Sequence, residues 1–164
     1  MSFPTAQILL RTSDAVPGDH VVLDYDARFL RRKVLTTQSG AQVLVDLPKT
    51  TSLSHGDVLE TTSGDLIGVR AAPEPLLEIK GRDLHRLAWH IGNRHTPCQI
   101  EEDRLLIQRD HVMMDMLARL GAHVHEVNEP FTPEGGAYGH GRTHGHDHSH
   151  QHGPDHSQPH SHDH

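Results

Sequence analysis

The chain has 164 residues, a formal charge of -7, 34% apolar residues and a mean hydropathy of -0.57. That length holds one domain or two small ones, and an acidic body with scattered arginines argues against nucleic acid or an anionic membrane as partner. The single cysteine, Cys98, excludes an internal disulfide and fits a reducing compartment.

The start, Met1 to Leu10, lacks a basic segment and its apolar run is cut off by Arg11, so it does not read as a secretory signal. No apolar stretch approaches the ~20 residues of a membrane span. The expectation is a soluble, cytoplasmic protein.

Residues 1–72 read as a small β domain. Runs rich in Val, Leu and Thr (Gln7 to Leu10, His20 to Tyr25, Phe29 to Thr36, Gln42 to Leu47, Asp57 to Thr61, Leu66 to Arg70) alternate with turn signals at Pro17-Gly18, Ser39-Gly40, His55-Gly56 and Ser63-Gly64. Ala71 to Pro75, with two prolines, reads as a stiff boundary.

Residues 76–135 follow another pattern. Leu76 to Lys80 reads as a strand. Asp83 caps a helix whose Leu84, Leu87, Ala88 and Ile91 recur at helical spacing, with Gly92 as its stop. Two short strands follow, Cys98 to Glu101 and Arg104 to Gln108. Asp110 caps a second helix that runs to Leu120 before Gly121, and His123 to Val127 is the last strand. The order βαββαβ is that of a ferredoxin-like plait, so the fold class is α+β. Pro130 to Gly139 reads as a Pro/Gly-rich exit, and residues 136–164 as a disordered, His-rich tail.

On the second helix, apolar residues cover far more than the stripe needed to bury a helix on one sheet. Met114 and Ala118, beside His111, are the surplus. They suit either a partner surface, most simply a second copy of the chain, or packing under a loop or the first domain.

The tail carries the clearest chemistry. His140 to His164 contain ten histidines and no aliphatic, aromatic or sulfur-bearing side chain, so the segment cannot form a core. Neutral imidazole suits nickel, copper and zinc. In an extended chain, residues i and i+2 project to one side, so His144, His146, His148, His150 and His152 can chelate without any fold, and His160, His162 and His164 repeat the device. The competing readings are an expression tag, a pH-responsive solvated tail and compositional drift. Catalysis needs ligands fixed in place, so a defined site belongs in the body.

Two candidates stand there. His111 opens the second helix at the edge of its apolar strip. Alone it is an ordinary surface histidine, but in a two-fold dimer two copies would meet and form half of a four-ligand site. His123 and His125 share one face of a strand and suit one ion per subunit, or are merely polar positions on a solvated face. Cys98 reads as a small apolar residue rather than a ligand. No nucleophile and base pairing, phosphate loop or His-Glu-x-x-His motif stands out, so an enzyme is not expected.

Three stretches carry a family likeness: Trp89-His90-Ile91-Gly92-Asn93-Arg94-His95-Thr96-Pro97-Cys98-Gln99; Asp110-His111-Val112 through Met116-Leu117 to Leu120-Gly121; and Pro130-Phe131-x-Pro133-Glu134-Gly135-Gly136-Ala137-Tyr138 ahead of a His-rich end. In that order they closely resemble the UreE family of urease accessory proteins, with weaker similarity over Leu47 to Leu53 and Gly56 to Leu59. The resemblance implies a cytoplasmic homodimer that carries nickel to the urease apoprotein together with an accessory GTPase. It implies that His111 of each subunit bridges nickel at the dimer interface, that His123 and His125 match peripheral metal positions of some members, and that the His-rich end binds further ions. Zinc or copper binding in vitro is also expected. The β domain would be a peptide- or partner-binding module, and His95 a structural loop residue. The competing functions are a nickel or zinc storage buffer, in which the tail is the whole function, and a folding chaperone acting through the β domain.

Overall fold

The computed structural model describes residues 3–11 and 14–135. Its strands are β1 (Thr5–Leu10), β2 (Asp19–Leu23), β3 (Phe29–Thr36), β4 (Gln42–Ser52), β5 (Val58–Thr61), β6 (Leu66–Ala71), β7 (Pro73–Lys80), β8 (Gln99–Ile100), β9 (Leu105–Gln108) and β10 (His123–Pro130). The helices are α1 (Leu84–Asn93), between β7 and β8, and α2 (His111–Arg119), between β9 and β10.

The first six strands form a sheet of order β2-β6-β5-β1-β4-β3. Val43, Val45 and Leu47 alternate inward along β4, joining Val21, Leu30, Leu35, Leu59 and Val69 in one core, as a strand of period two with one buried face must. The sheet curls, because the β3–β4 turn reaches across to the opposite edge strand: the amide of Gln38 donates to the His20 carbonyl at 2.7 Å, and Ser39 Oγ to Asp19 at 2.5 Å. β4 extends to Ser52, past the expected end at Leu47. Around Pro48 the β3 pairing jumps from Leu30↔Thr51 to Arg32↔Asp46, and this irregularity accommodates a residue with no N–H to donate.

The second sheet has the order β10-β7-β9-β8, all antiparallel. With α1 and α2 in their places, this is the ferredoxin-like βαββαβ arrangement, so the α+β fold class stands. The prolines expected to form a boundary are part of β7: Pro73 pairs with Pro130 and Pro75 with Asn128, while β9 joins β7 only from Leu76 onward. Proline is tolerated there because β7 has a neighbour on one side only over those residues.

Both helices cover one face of this sheet. Leu87 and Ile91 of α1 and Met113 and Leu117 of α2 pack on Leu77, Ile79, Leu105 and Ile107. Asp83 caps α1 by accepting from the Arg86 amide, and the helix runs through Gly92, its expected stop, to Asn93. It closes with His95 in the left-handed region at φ 56°, where the amides of His95 and Thr96 bond back to the carbonyls of Gly92 and Ile91. This supports a structural part for His95.

The other face of the sheet is covered from the β domain. Leu76 and Leu106 pack with Phe131, which is fully buried, and with Tyr25. The Tyr25 and Phe131 rings meet edge-on, with centroids 5.4 Å apart. Buried Arg28 donates to the carbonyls of Leu23, Leu53 and Phe131. Buried Glu74 accepts from the Tyr25 amide at 2.8 Å and from Gln108 at 3.2 Å. The expected exit from Pro130 thus begins with the last residue of β10 and a core phenylalanine. Among the described residues no helix is long and apolar enough to cross a membrane.

Candidate metal sites

Asp110 caps α2: its Oδ1 accepts from the amides of Val112 at 2.8 Å and Met113 at 3.2 Å. That leaves His111 as the first helical residue, with its side chain exposed. The helix buries Met113 and Leu117, half-buries Met114 and Met116, and turns His111, Asp115, Ala118 and Arg119 to solvent. Of the two residues read as surplus, Ala118 is at the surface. Met114 packs against the core, because it lies between the buried and exposed arcs.

Val112 is 50% exposed and Trp89, on α1, 63% exposed. Neither was singled out as a surface residue from sequence, although a signal existed for the tryptophan. At 100° per residue Trp89 falls opposite the stripe formed by Leu84, Leu87, Ala88 and Ile91. Because both helices lie on the same face of the sheet, their outward sides form one layer, on which Trp89, Val112 and Ala118 are apolar and His111 is a metal-competent imidazole.

His123 and His125 lie on edge strand β10, both exposed, opposite Lys80 and Glu78 of β7. Val124 packs into the helix-side core, so both histidines point to the other face. On that face Arg104 binds Glu78 at 2.8 Å, Glu129 at 2.7 Å and Glu101 at 3.0 Å. The arginine holds the Glu129 carboxyl below its ordinary value, chiefly through the hydrogen bond between them. His123 also borders a cleft of about 540 Å³ lined by Arg82, Asp83 and Arg86, in which Asp83 pairs with Arg86 at 3.5 Å.

The nine residues of α2, roughly 13 Å of helix, separate His111 from His123, too far for both to bind one ion. Among the described residues, no group of three or more His, Cys, Asp or Glu side chains is placed to hold a metal ion. Cys98 is partly buried, and burial, with Glu134 second, pushes its thiol up to about 12. It is a neutral thiol at physiological pH, in keeping with a packing role. The tail ligands His144, His146, His148, His150 and His152 lie outside the described residues.

Comparison with known proteins gives this geometry a family. Residues 6–72 match the N-terminal domain and residues 74–164 the C-terminal domain of the UreE urease accessory protein. A urease accessory protein UreE of Ruegeria sp. (strain TM1040) is 70% identical over 131 residues, covering 80% of this chain and 74% of its own. That of Ruegeria pomeroyi is 62% identical over 146 residues, 88% of this chain and 98% of its own, and that of Rhodobacter capsulatus 60% identical over 128 residues, 78% and 81%. With both domain models matched in order along nearly the whole chain, this protein belongs to the UreE family of urease accessory proteins.

Proposed function

We propose that this chain is a nickel metallochaperone, a cytoplasmic homodimer that serves urease maturation by passing nickel to the urease apoprotein together with the accessory GTPase. Nickel is its cargo, and the chain is not an enzyme. The observation that carries the reading is His111: an exposed imidazole on an outward helical layer with apolar Trp89, Val112 and Ala118, on a chain whose described residues offer no complete ligand set. Such a half-site is completed by the same residue of a second copy across a two-fold axis, since a two-fold interface repeats one patch on both subunits.

Imidazole nitrogen is a suitable donor for nickel, and ligands contributed by two subunits and a chain of weak chelates exchange more readily than a closed four-ligand cage. His144, His146, His148, His150 and His152 supply those chelates, gathering ions and completing the coordination of the ion at His111. His123 and His125, on one face of β10, offer two imidazoles to a secondary site in each subunit, with Glu78 across the strand pair held by Arg104 rather than free to join them. Zinc and copper compete in vitro, because imidazole donors alone discriminate weakly among late divalent metals.

The test compares the full chain, a truncation after Gly139 and both with His111→Ala. Titration calorimetry with Ni²⁺, sedimentation and urease activation at limiting nickel are the measurements. Delivery requires that the truncated dimer keep about one ion, that His111→Ala remove it, and that the combined variant fail to activate urease. A storage buffer would instead lose nearly all bound metal on truncation alone, and unimpaired activation by the combined variant would refute delivery.

A further inference from the structure

Asp115 lies one turn beyond His111 on α2, and both side chains face solvent. Residues four apart on a helix are neighbours, with Cβ atoms about 5–6 Å apart. Helical side chains lean toward the N-terminal end of their helix, so the Asp115 carboxylate leans toward the turn that carries His111.

Nothing within the chain occupies this carboxylate. Asp115 joins no ion pair or side-chain hydrogen bond among the described residues, although Arg119 stands one turn further on. It is not needed as a cap, because Asp110 already accepts from the amides of Val112 and Met113. Aspartate is also a poorer helix former than Ala, Glu or Lys, so at an exposed position inside a helix of nine residues it weakens α2 relative to those residues.

An ion at His111 needs charge as well as donors. Imidazole binds metal in its neutral form, so two copies of His111 alone would leave both positive charges of Ni²⁺ uncompensated where the apolar side chains Trp89, Val112 and Ala118 close around it. Burying an unpaired charge is costly. We propose that Asp115 is a second nickel ligand of the His111 site. In each copy the two residues form a chelate across one helical turn, and two copies together supply two imidazoles and two carboxylates, which neutralise the ion. Two histidines at the same spacing hold zinc in His-Glu-x-x-His helices. The inference rests on the nickel reading of His111, and it names the anionic donor that reading lacks. Without metal, the same two carboxylates repel each other across the interface.

The test uses the full-length chain. Bound nickel is measured by competition with a chelator, and the ion that His111→Ala removes defines the site. Asp115→Ala and Asp115→Asn should each weaken the binding of that ion by at least about tenfold, the loss typical of removing even an outer partner of a metal ligand. Glu102→Gln, which removes an exposed carboxylate from the β8–β9 turn, should leave it unchanged. Neither Asp115 substitution lowers helix propensity, so the fold is kept, as thermal unfolding checks. Sedimentation in excess chelator should show both Asp115 variants dimerising at least as tightly as the unsubstituted chain, because a repulsion has been relieved. Full nickel affinity in Asp115→Asn, an equal loss in Glu102→Gln, or a loss of nickel matched by a loss of the metal-free dimer would overturn the proposal. If His111→Ala removes no ion, the nickel reading fails and this ligand with it; if His111→Ala removes an ion that both Asp115 variants hold normally, only this inference fails.

Discussion

Truncating Phe131 to alanine tests how the two sheets are joined. The ring is 0% exposed, rests on Leu76 and Leu106 and meets Tyr25 edge-on at 5.4 Å. Removing a fully buried phenylalanine costs about 3–5 kcal/mol through lost transfer energy and the cavity left behind, and the edge-on pair accounts for about 1 kcal/mol of that. The backbone carbonyl that accepts from Arg28 remains, so the loss is one of packing alone. A loss of about 4 kcal/mol should lower the urea midpoint by roughly 2 M at a slope of about 2 kcal/mol per M. The Tyr25→Ala and Phe131→Ala double-mutant cycle should return a coupling of about 1 kcal/mol. A midpoint shift worth less than about 1 kcal/mol, or a coupling of zero, would show that Phe131 does not bridge the β domain and the second sheet.

Two further outcomes follow from the ionisable groups. Arg104 holds the Glu129 carboxyl below its ordinary value, so the pair stabilises the fold above that value and the contribution is lost as pH falls through the depressed one. Arg104→Gln should therefore lower the melting temperature near neutrality while flattening its decline between about pH 5 and pH 3, and parallel acid limbs for the two proteins would refute the assignment. With its thiol near 12, Cys98 should alkylate at pH 8 at least about a hundredfold more slowly in the folded protein than in urea. Similar rates in both states, followed by mass spectrometry, would contradict its burial.

Local chemistry explains how much was legible in advance. Asp83 and Asp110 announce their helices because a carboxylate accepts from the first free amides wherever the rest of the chain goes. The order βαββαβ follows from hydrophobic period and turn residues, and that order restricts the sheet topology to very few arrangements. His111, His123, His125 and the tail histidines stand out as donors because imidazole is a ligand whatever surrounds it.

Tertiary structure alone decides which face of each element is covered, since that depends on contacts between residues far apart in the chain. Period two puts His123 and His125 on one side of β10, yet only the packing of Val124 against the helix layer shows that they point away from it and share a face with the Arg104 ion pairs. Helical period marks Met114 and Val112 alike as apolar, and the sheet decides that Met114 packs inward while Val112 stays at the surface. Phe131 reads as part of a loop until Tyr25 and Arg28, over a hundred positions earlier, close over it. A sequence specifies each residue's chemistry and near neighbours, whereas burial is a property of the whole chain once its distant parts have met.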